Sequence, residues 1–226
     1  MDNNIKRILI WSGWFRLSHL LIGLSTLVLL ATGSLIQHSP LLALQAVDIH
    51  NYSAGFFLAG LIVRIILMFF GKPHERINYL IPSSNEWNTI REMLIFYALL
   101  GKAKLPNWYA QNPFWKPIYL LIYFVLIAQL ISGIVLGNED FILGYQPRPI
   151  HQLGSELLLI FTLLHIVCVI WHDYKAAGSD VSAMINGLRT FTTESNTTDK
   201  NSQAVTFTPM SEFSNKKSTA KKSIKY

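Results

Sequence analysis

Four apolar segments, each about as long as a lipid bilayer is thick, constrain this 226-residue chain more than any other feature. They cover residues 17–36, 52–70, 117–136 and 152–171. A helix needs about 20 apolar residues to cross roughly 30 Å of hydrocarbon, and only 14% of the chain is charged. The sequence therefore predicts an all-α fold, an integral membrane four-helix bundle. The predicted helices cover about residues 17–37, 51–71, 116–137 and 151–172.

The positions of Lys and Arg predict how the bundle is oriented. They precede the first segment, occupy the loop between the second and third, and follow the fourth. The loop at residues 37–51 has neither residue, and the loop at 137–150 has only Arg148. Because basic loops stay in the cytoplasm, we expect both termini there. The first segment is long and lacks a convincing small-residue cleavage site, so we expect a retained helix rather than a cleaved signal peptide. The formal charge of +6 then reflects topology, so no nucleic-acid partner is expected.

Two segments lie outside the predicted bundle. Residues 86–100 carry apolar side chains at helical spacing behind a capping box of Ser83 and Glu86, which predicts a short cytoplasmic helix on the membrane surface. From residue 192 onward the chain is rich in Ser, Thr, Asn and Lys and is expected to be a disordered cytoplasmic tail. The expected domains are therefore a transmembrane domain at 1–191 and a polar tail at 192–226.

Histidine is the leading candidate ligand, because the single cysteine, Cys168, excludes thiolate clusters. In the predicted orientation His19 lies at the inner side of the membrane, and His50 and His151 lie at the outer side. His165 follows His151 by 14 residues, which is about 21 Å along a helix and about 40° short of four full turns. We therefore expect two haems b, with His19 and His165 as axial iron ligands of the inner haem and His50 and His151 of the outer one.

Other interpretations of these polar residues stay open. A single membrane histidine also suits a hydrogen bond between helices. His38, His74 and His172 fall in predicted loops or at an interface, where solvated side chains are common. Arg16 and Arg64 are placed at the inner haem level, where a haem propionate or a quinone head group would pair with them. The alternatives are a positive-inside anchor for Arg16 and snorkelling to the interface for Arg64.

Several motifs surround the histidines. They are Arg16-Leu-Ser-His19, His50-x4-Gly55, Asn112-Pro113, His151-x13-His165 and the stretch 180–189. With them, over about residues 7–192, the chain resembles the superfamily of cytochrome b561 and nickel-iron hydrogenase b-type cytochromes. The resemblance implies a quinone-linked diheme subunit of the bacterial inner membrane, surrounded by lipid, with the same two ligand pairs. Leu20 departs from the family, which usually has an aromatic residue after the first histidine.

The expected function is electron transfer across the membrane between the quinone/quinol pool and a periplasmic redox protein. That partner would be a hydrogenase, a dehydrogenase or a c-type cytochrome. Because the chain shows no nucleotide motif or large soluble domain, we expect the membrane subunit of a respiratory complex rather than a complete enzyme. One alternative is a self-sufficient b561-like superoxide:quinone oxidoreductase. Another is a haem-free proton or ion transporter in which the histidines and Arg64 form a relay.

Overall fold

Four long helices dominate the computed structural model, which describes residues 4–137, 146–175 and 180–193. In chain order the elements are β1 (Asn4–Leu9), α1 (Gly13–His38), α2 (Ala43–Phe70), α3 (Trp87–Ala98), α4 (Lys116–Leu136), α5 (Pro147–Lys175), α6 (Asp180–Asn186) and β2 (Leu188–Thr193). Helices α1, α2, α4 and α5 are each long and apolar enough to cross a membrane. The chain is a multi-pass membrane protein, and the predicted helical bundle is confirmed.

The long helices extend beyond the apolar segments that predicted them. α2 begins at Ala43 rather than near residue 51, and α5 begins at Pro147 rather than near 151. Hydrophobicity marks only the part of a helix that lies in hydrocarbon, whereas the backbone hydrogen bonds continue into polar surroundings. As a result His50 and His151 lie about two turns and about one turn inside their helices instead of opening them.

The four helices pack as two antiparallel pairs, α1 with α2 and α4 with α5. Gly60 permits the close approach of α2 to α1, because a Cβ there would stand 2.8 Å from the Cβ of Leu21 and 3.1 Å from the backbone nitrogen of Ile22. The two pairs meet through a buried apolar cluster. Its members are Phe57, Leu61, Leu126 and Leu158.

The remaining elements form a cap over the end of the bundle where α1 begins. β1 and β2 pair in a two-stranded sheet, and the N–H groups of Ile10 and Trp11 donate to the carbonyl of Gly187. The sheet was not predicted from the sequence, and β2 includes the first two residues of the expected tail. Residues 194–226 lie outside the described part of the chain. The cap has its own buried cluster, made of Ile10, Trp11, Phe15, Ala110 and Ala183.

The predicted short helix is present as α3, within the cap. Ser83 N–H donates to the carboxylate of Glu86 at 2.9 Å, which is the backward bond of the predicted capping box. The other carboxylate oxygen of Glu86 lies 2.5 Å from the Lys116 ammonium, so this turn also ties α3 to the start of α4. Gly101 ends the segment with a φ of 72°, and its N–H bonds the carbonyl of Phe96 at 2.8 Å.

Candidate haem-binding site

Two pairs of histidine rings face each other between the two helix pairs. The ring centres of His19 on α1 and His165 on α5 are 6.2 Å apart. Those of His50 on α2 and His151 on α5 are 6.4 Å apart. We call these the cap-side pair and the far pair, because His19 lies near the cap and His50 near the opposite end of the bundle. These are the same histidine pairs that membrane depth and helical periodicity predict from the sequence.

The ring separations suit two imidazoles on opposite sides of one metal ion. A ring nitrogen binds a metal at about 2 Å and lies about 1 Å from its ring centre, so two axial rings have centres about 6 Å apart. Among the described residues no group of three or more His, Cys, Asp or Glu side chains could hold a metal ion. Each pair therefore fits an iron whose other four ligands come from a macrocycle. None of the four histidines is fully buried, so each ring keeps surface that such a planar group would cover.

The far pair is held by hydroxyl groups from neighbouring helices. Nδ1 of His50 lies 2.9 Å from the hydroxyl of Thr32, and Nδ1 of His151 lies 2.9 Å from that of Ser132. Each hydroxyl also donates its hydrogen to a carbonyl about one turn earlier in its own helix, at 2.7 Å and 3.1 Å. The hydroxyl oxygen therefore accepts from Nδ1–H. This tautomer leaves Nε2 of each ring unprotonated, which is the form that binds iron.

Aromatic side chains surround the α5 member of the cap-side pair. The ring of Phe161, one turn earlier on α5, stacks on His165 at 5.5 Å with an angle of 16°. The rings of Trp115 and Tyr119 approach it edge-on at 6.4 Å and 5.9 Å. These contacts fix the orientation of the imidazole and keep its surroundings apolar.

Arg64 points into the protein and lacks a full set of partners. Its side chain is 2% exposed, so it does not snorkel to the interface. Nε donates to the Tyr123 hydroxyl at 2.6 Å, and the guanidinium lies 4.1 Å from the centre of the Phe15 ring. Nη1 and Nη2 have no hydrogen-bond partner among the described residues. A buried guanidinium is costly without an anion, so these donors fit a carboxylate such as a haem propionate.

Arg16 bonds the cap and also lies beside the cap-side pair. It lies one turn before His19, as the sequence predicts, and its Nη1 donates to the carbonyl of Ile185. This bond ties α1 to α6. The buried Nε has no partner among the described residues and remains available to an anion.

Comparison with known proteins decides the family. The model for the family described as prokaryotic cytochrome b561 matches residues 10–187. The chain belongs to this family. It is therefore a membrane b-type cytochrome, with haem b as its cofactor and electron transfer as its function.

Several proteins described as probable Ni/Fe-hydrogenase B-type cytochrome subunits resemble this cytochrome over most of its length. The protein from Cupriavidus necator is 25% identical, over 83% of this chain and 89% of the relative. Those from Bradyrhizobium diazoefficiens and Azotobacter vinelandii are each 26% identical, over 78% and 81% of this chain and 83% and 89% of the relatives. No solved structure matches the cytochrome.

Two further histidines of the cytochrome make local contacts. His38 is exposed at the end of α1, with Nδ1 3.0 Å from the carbonyl of Ser34. His74 donates from Nε2 to the carbonyl of Ile10 at 2.5 Å and so holds the cap together. Neither lies against the paired histidines.

His172 differs from the sequence-based expectation of a solvated interfacial residue. It is 4% exposed, and its Nε2 lies 2.9 Å from the hydroxyl of Tyr97. The available signal was its position seven residues after His165, which is nearly two full helical turns on the same face.

Proposed function

We propose that this cytochrome carries electrons across the membrane through two haems b, between a quinone pool and a redox protein on the other side. The observation that carries the proposal is that α5 contributes one ring to each histidine pair. The two α5 residues are 14 positions apart, about 21 Å along the helix, so the pairs lie at different depths. Two redox centres at two depths form a path for electrons.

The side chains have separate roles in this proposal. His19 and His165 bind one haem, and His50 and His151 bind the other. When bound, each haem supplies an iron that gains or loses one electron. Arg64 offers two N–H donors to a propionate at the cap side, and Arg16 offers its Nε.

Neighbouring side chains also influence the redox potential at each histidine pair. The hydroxyls of Thr32 and Ser132 fix the tautomer of His50 and His151, and hydrogen bonding at Nδ1 makes a ligand more basic. A more basic ligand favours the oxidised iron, so these hydroxyls lower the potential of the far site. The apolar rings around His165 raise the potential of the cap-side site, because burial disfavours the additional positive charge of the oxidised iron.

We place the cap in the cytoplasm of a bacterial inner membrane. The cap carries most of the Lys and Arg of the loops, and basic loops stay on the cytoplasmic side. The quinone would react at the cap side. The far pair then lies near the periplasm and exchanges electrons with a partner there.

A hydrogenase is the periplasmic partner that the similar proteins favour, ahead of a dehydrogenase or a c-type cytochrome. The relatives are described as probable hydrogenase cytochrome subunits, and the matches cover 83–89% of their length. The chain would then be the membrane subunit of a respiratory complex.

The ligand assignment is tested by haem content and spectra of the purified full chain. Wild type should contain two low-spin haems b per chain. His165→Ala should remove the cap-side haem and spare the other, and His151→Ala should do the reverse. If either variant kept two low-spin haems, the assignment would be wrong. Reduction of both haems by a quinol in liposomes, and their reoxidation by a hydrogenase-side acceptor, tests the electron path.

A further inference from the structure

A buried polar chain runs from the cap toward the cap-side histidine pair, and the proposed function does not use it. At its centre the Tyr97 hydroxyl accepts from Trp115 Nε1–H at 2.7 Å and lies 2.9 Å from His172 Nε2. The other ring nitrogen of His172, Nδ1, lies 3.8 Å from a carboxylate oxygen of Asp180. His172 therefore connects a phenol on α3 with a carboxylate on α6.

Asp180 is the more exposed of the two partners at the His172 end of the polar chain. The Asp180 side chain is 20% exposed, whereas that of His172 is 5% exposed. The second carboxylate oxygen of Asp180 pairs with Arg189 at 3.2 Å. Asp173 fixes the start of α6 by accepting from the N–H groups of Asp180 and Val181 at 2.6 Å and 3.0 Å. Asp180 therefore offers a route for a proton between water and His172.

His172 has a polar atom near each of its ring nitrogens. When both nitrogens carry a proton, Nδ1–H faces the Asp180 carboxylate and Nε2–H donates to the Tyr97 oxygen. The other neighbours are the uncharged rings of Trp108 at 5.3 Å and Phe96 at 6.2 Å. Burial raises the pKa of Tyr97, so this phenol stays neutral.

His172 is close enough to the cap-side pair for their charges to interact. It follows His165 by seven residues, which places it on the same face of α5 and about 10 Å along the axis. Over such a distance in a protein, two charges interact by more than the thermal energy. The charged groups beside His172 are the Asp180–Arg189 ion pair and Asp173, the next residue in the chain. Histidine is the side chain type that changes its charge near neutral pH.

We propose that His172 is a proton-loading site for the cap-side haem. When the site held by His19 and His165 gains one electron, His172 takes up one proton from cap-side water by way of Asp180. It releases that proton when the electron leaves. The electron cancels one positive charge, the proton restores it, and the electron comes from the quinol or the partner of the proposed function. The inference rests on that function, since it requires a haem at this pair.

The test is a spectroscopic redox titration of the full-length cytochrome in detergent, from about pH 5 to about pH 8. The cap-side haem is the one missing in His165→Ala. Its midpoint potential should fall with rising pH, and over part of the range the slope should approach the value for one proton taken up per electron. His172→Gln should abolish this pH dependence and should leave the pH dependence of the other haem unchanged. Asp180→Asn should move the pH-dependent region to lower pH, because it removes the negative charge that faces the imidazolium.

His38→Gln is the control, since it removes an exposed histidine at the far end of α1 and should leave the pH dependence intact. Infrared difference spectra between reduced and oxidised protein should show bands of labelled histidine that vanish in His172→Gln. A pH-independent midpoint in wild type, or a dependence that survives in His172→Gln, would overturn the inference while the haems remain. If His172→Gln loses the cap-side haem, the Asp180→Asn variant provides the test. A plot of midpoint potential against pH that is not shifted in this variant would then overturn the inference. Absence of haem from wild type would instead overturn the proposed function.

Discussion

Gly133 on α4 lies so close to His151 on α5 that a Cβ added to it would stand 3.2 Å from Cε1 of the imidazole. Real side chains rarely approach this closely, so a methyl group would push the ring away from His50. Gly33 has the same relation to the other ring of the pair, but there the distance would be 3.7 Å, an ordinary van der Waals contact. The two glycines therefore provide a matched comparison.

Gly133→Ala is expected to weaken haem binding at the far pair, whereas Gly33→Ala is tolerated. Overpacking of this kind costs about 1–3 kcal/mol, which corresponds to about a 5- to 150-fold loss of affinity. The measurement is the haem-to-protein ratio during stepwise dilution or extraction, with the cap-side haem as internal reference. Equal behaviour of the two variants would contradict the geometry.

Ser132→Ala is expected to weaken the far haem and to raise its midpoint potential, because His151 loses the acceptor of its Nδ1–H bond. Loss of such a partner usually costs 10–100-fold in metal affinity. Ser155→Ala is the control, since the Ser155 hydroxyl bonds the carbonyl of Gln152 in the same helix at 2.7 Å. Redox titration and haem content measure both effects, and a shift of equal size in the control would count against the assigned tautomer.

Arg64→Gln is expected to lower the midpoint potential of the cap-side haem and to loosen it. The variant removes a buried positive charge whose two free N–H groups would otherwise hold a propionate. Arg64→Lys keeps the charge and should recover most of the potential but not all of the binding, because an ammonium lacks the guanidinium fork. Arg91→Gln, at an exposed position on α3, is the control. An unchanged potential in Arg64→Gln would exclude a charge interaction with the haem.

Glu75 is expected to make the stability of the cap depend on pH. Burial alone would raise the pKa of this carboxyl, but the N–H groups of Ser12 and Lys72 donate to it at 2.9 Å and 3.0 Å, and the net result is a lowered pKa. Stabilisation by a carboxylate of lowered pKa is fully present above the unfolded value, about pH 4.3, and is lost as the pH falls through the folded value.

Hydrogen exchange of β1 measures this effect. Protection should be constant above about pH 5, after correction for intrinsic exchange, and should fall in more acidic buffer. Glu75→Gln should lose roughly 1–3 kcal/mol of protection at neutral pH, because two buried donors lose their charged acceptor. Glu92→Gln, at an exposed position on α3, should show no such loss. Flat protection down to pH 3 in wild type would be inconsistent with a lowered pKa.

Membrane helices and the placement of the paired histidines could be predicted because both depend on regular periodicities. Hydropathy gives the number of spans, and the rise and twist of a helix convert the spacing of His151 and His165 into depth and direction. The position of Arg64 inside a membrane helix could be predicted for a related reason, since a charged residue inside an apolar segment is conspicuous.

The cap could not be predicted in the same way, because it depends on contacts between residues far apart in the chain. The β1–β2 sheet joins segments separated by about 180 positions, and neither six-residue strand has a strong pattern of its own. The partners of His172 come from α3 and α6, so its burial follows from tertiary packing. Thr32 and Ser132 are ordinary membrane hydroxyl residues in sequence, and only the structure reveals that they contact histidines.

The spacing between His151 and His165 on α5 determines whether both histidine pairs can form at once. One inserted residue between them would turn one ring by about 100° away from its partner, whereas an insertion of seven would restore the direction but lengthen the path by about 10 Å. A substitution in this stretch changes one side chain, whereas a change of length moves one histidine relative to the other and so affects both pairs. Insertions and deletions are therefore expected to accumulate in the loops that flank α5 and to be absent between His151 and His165.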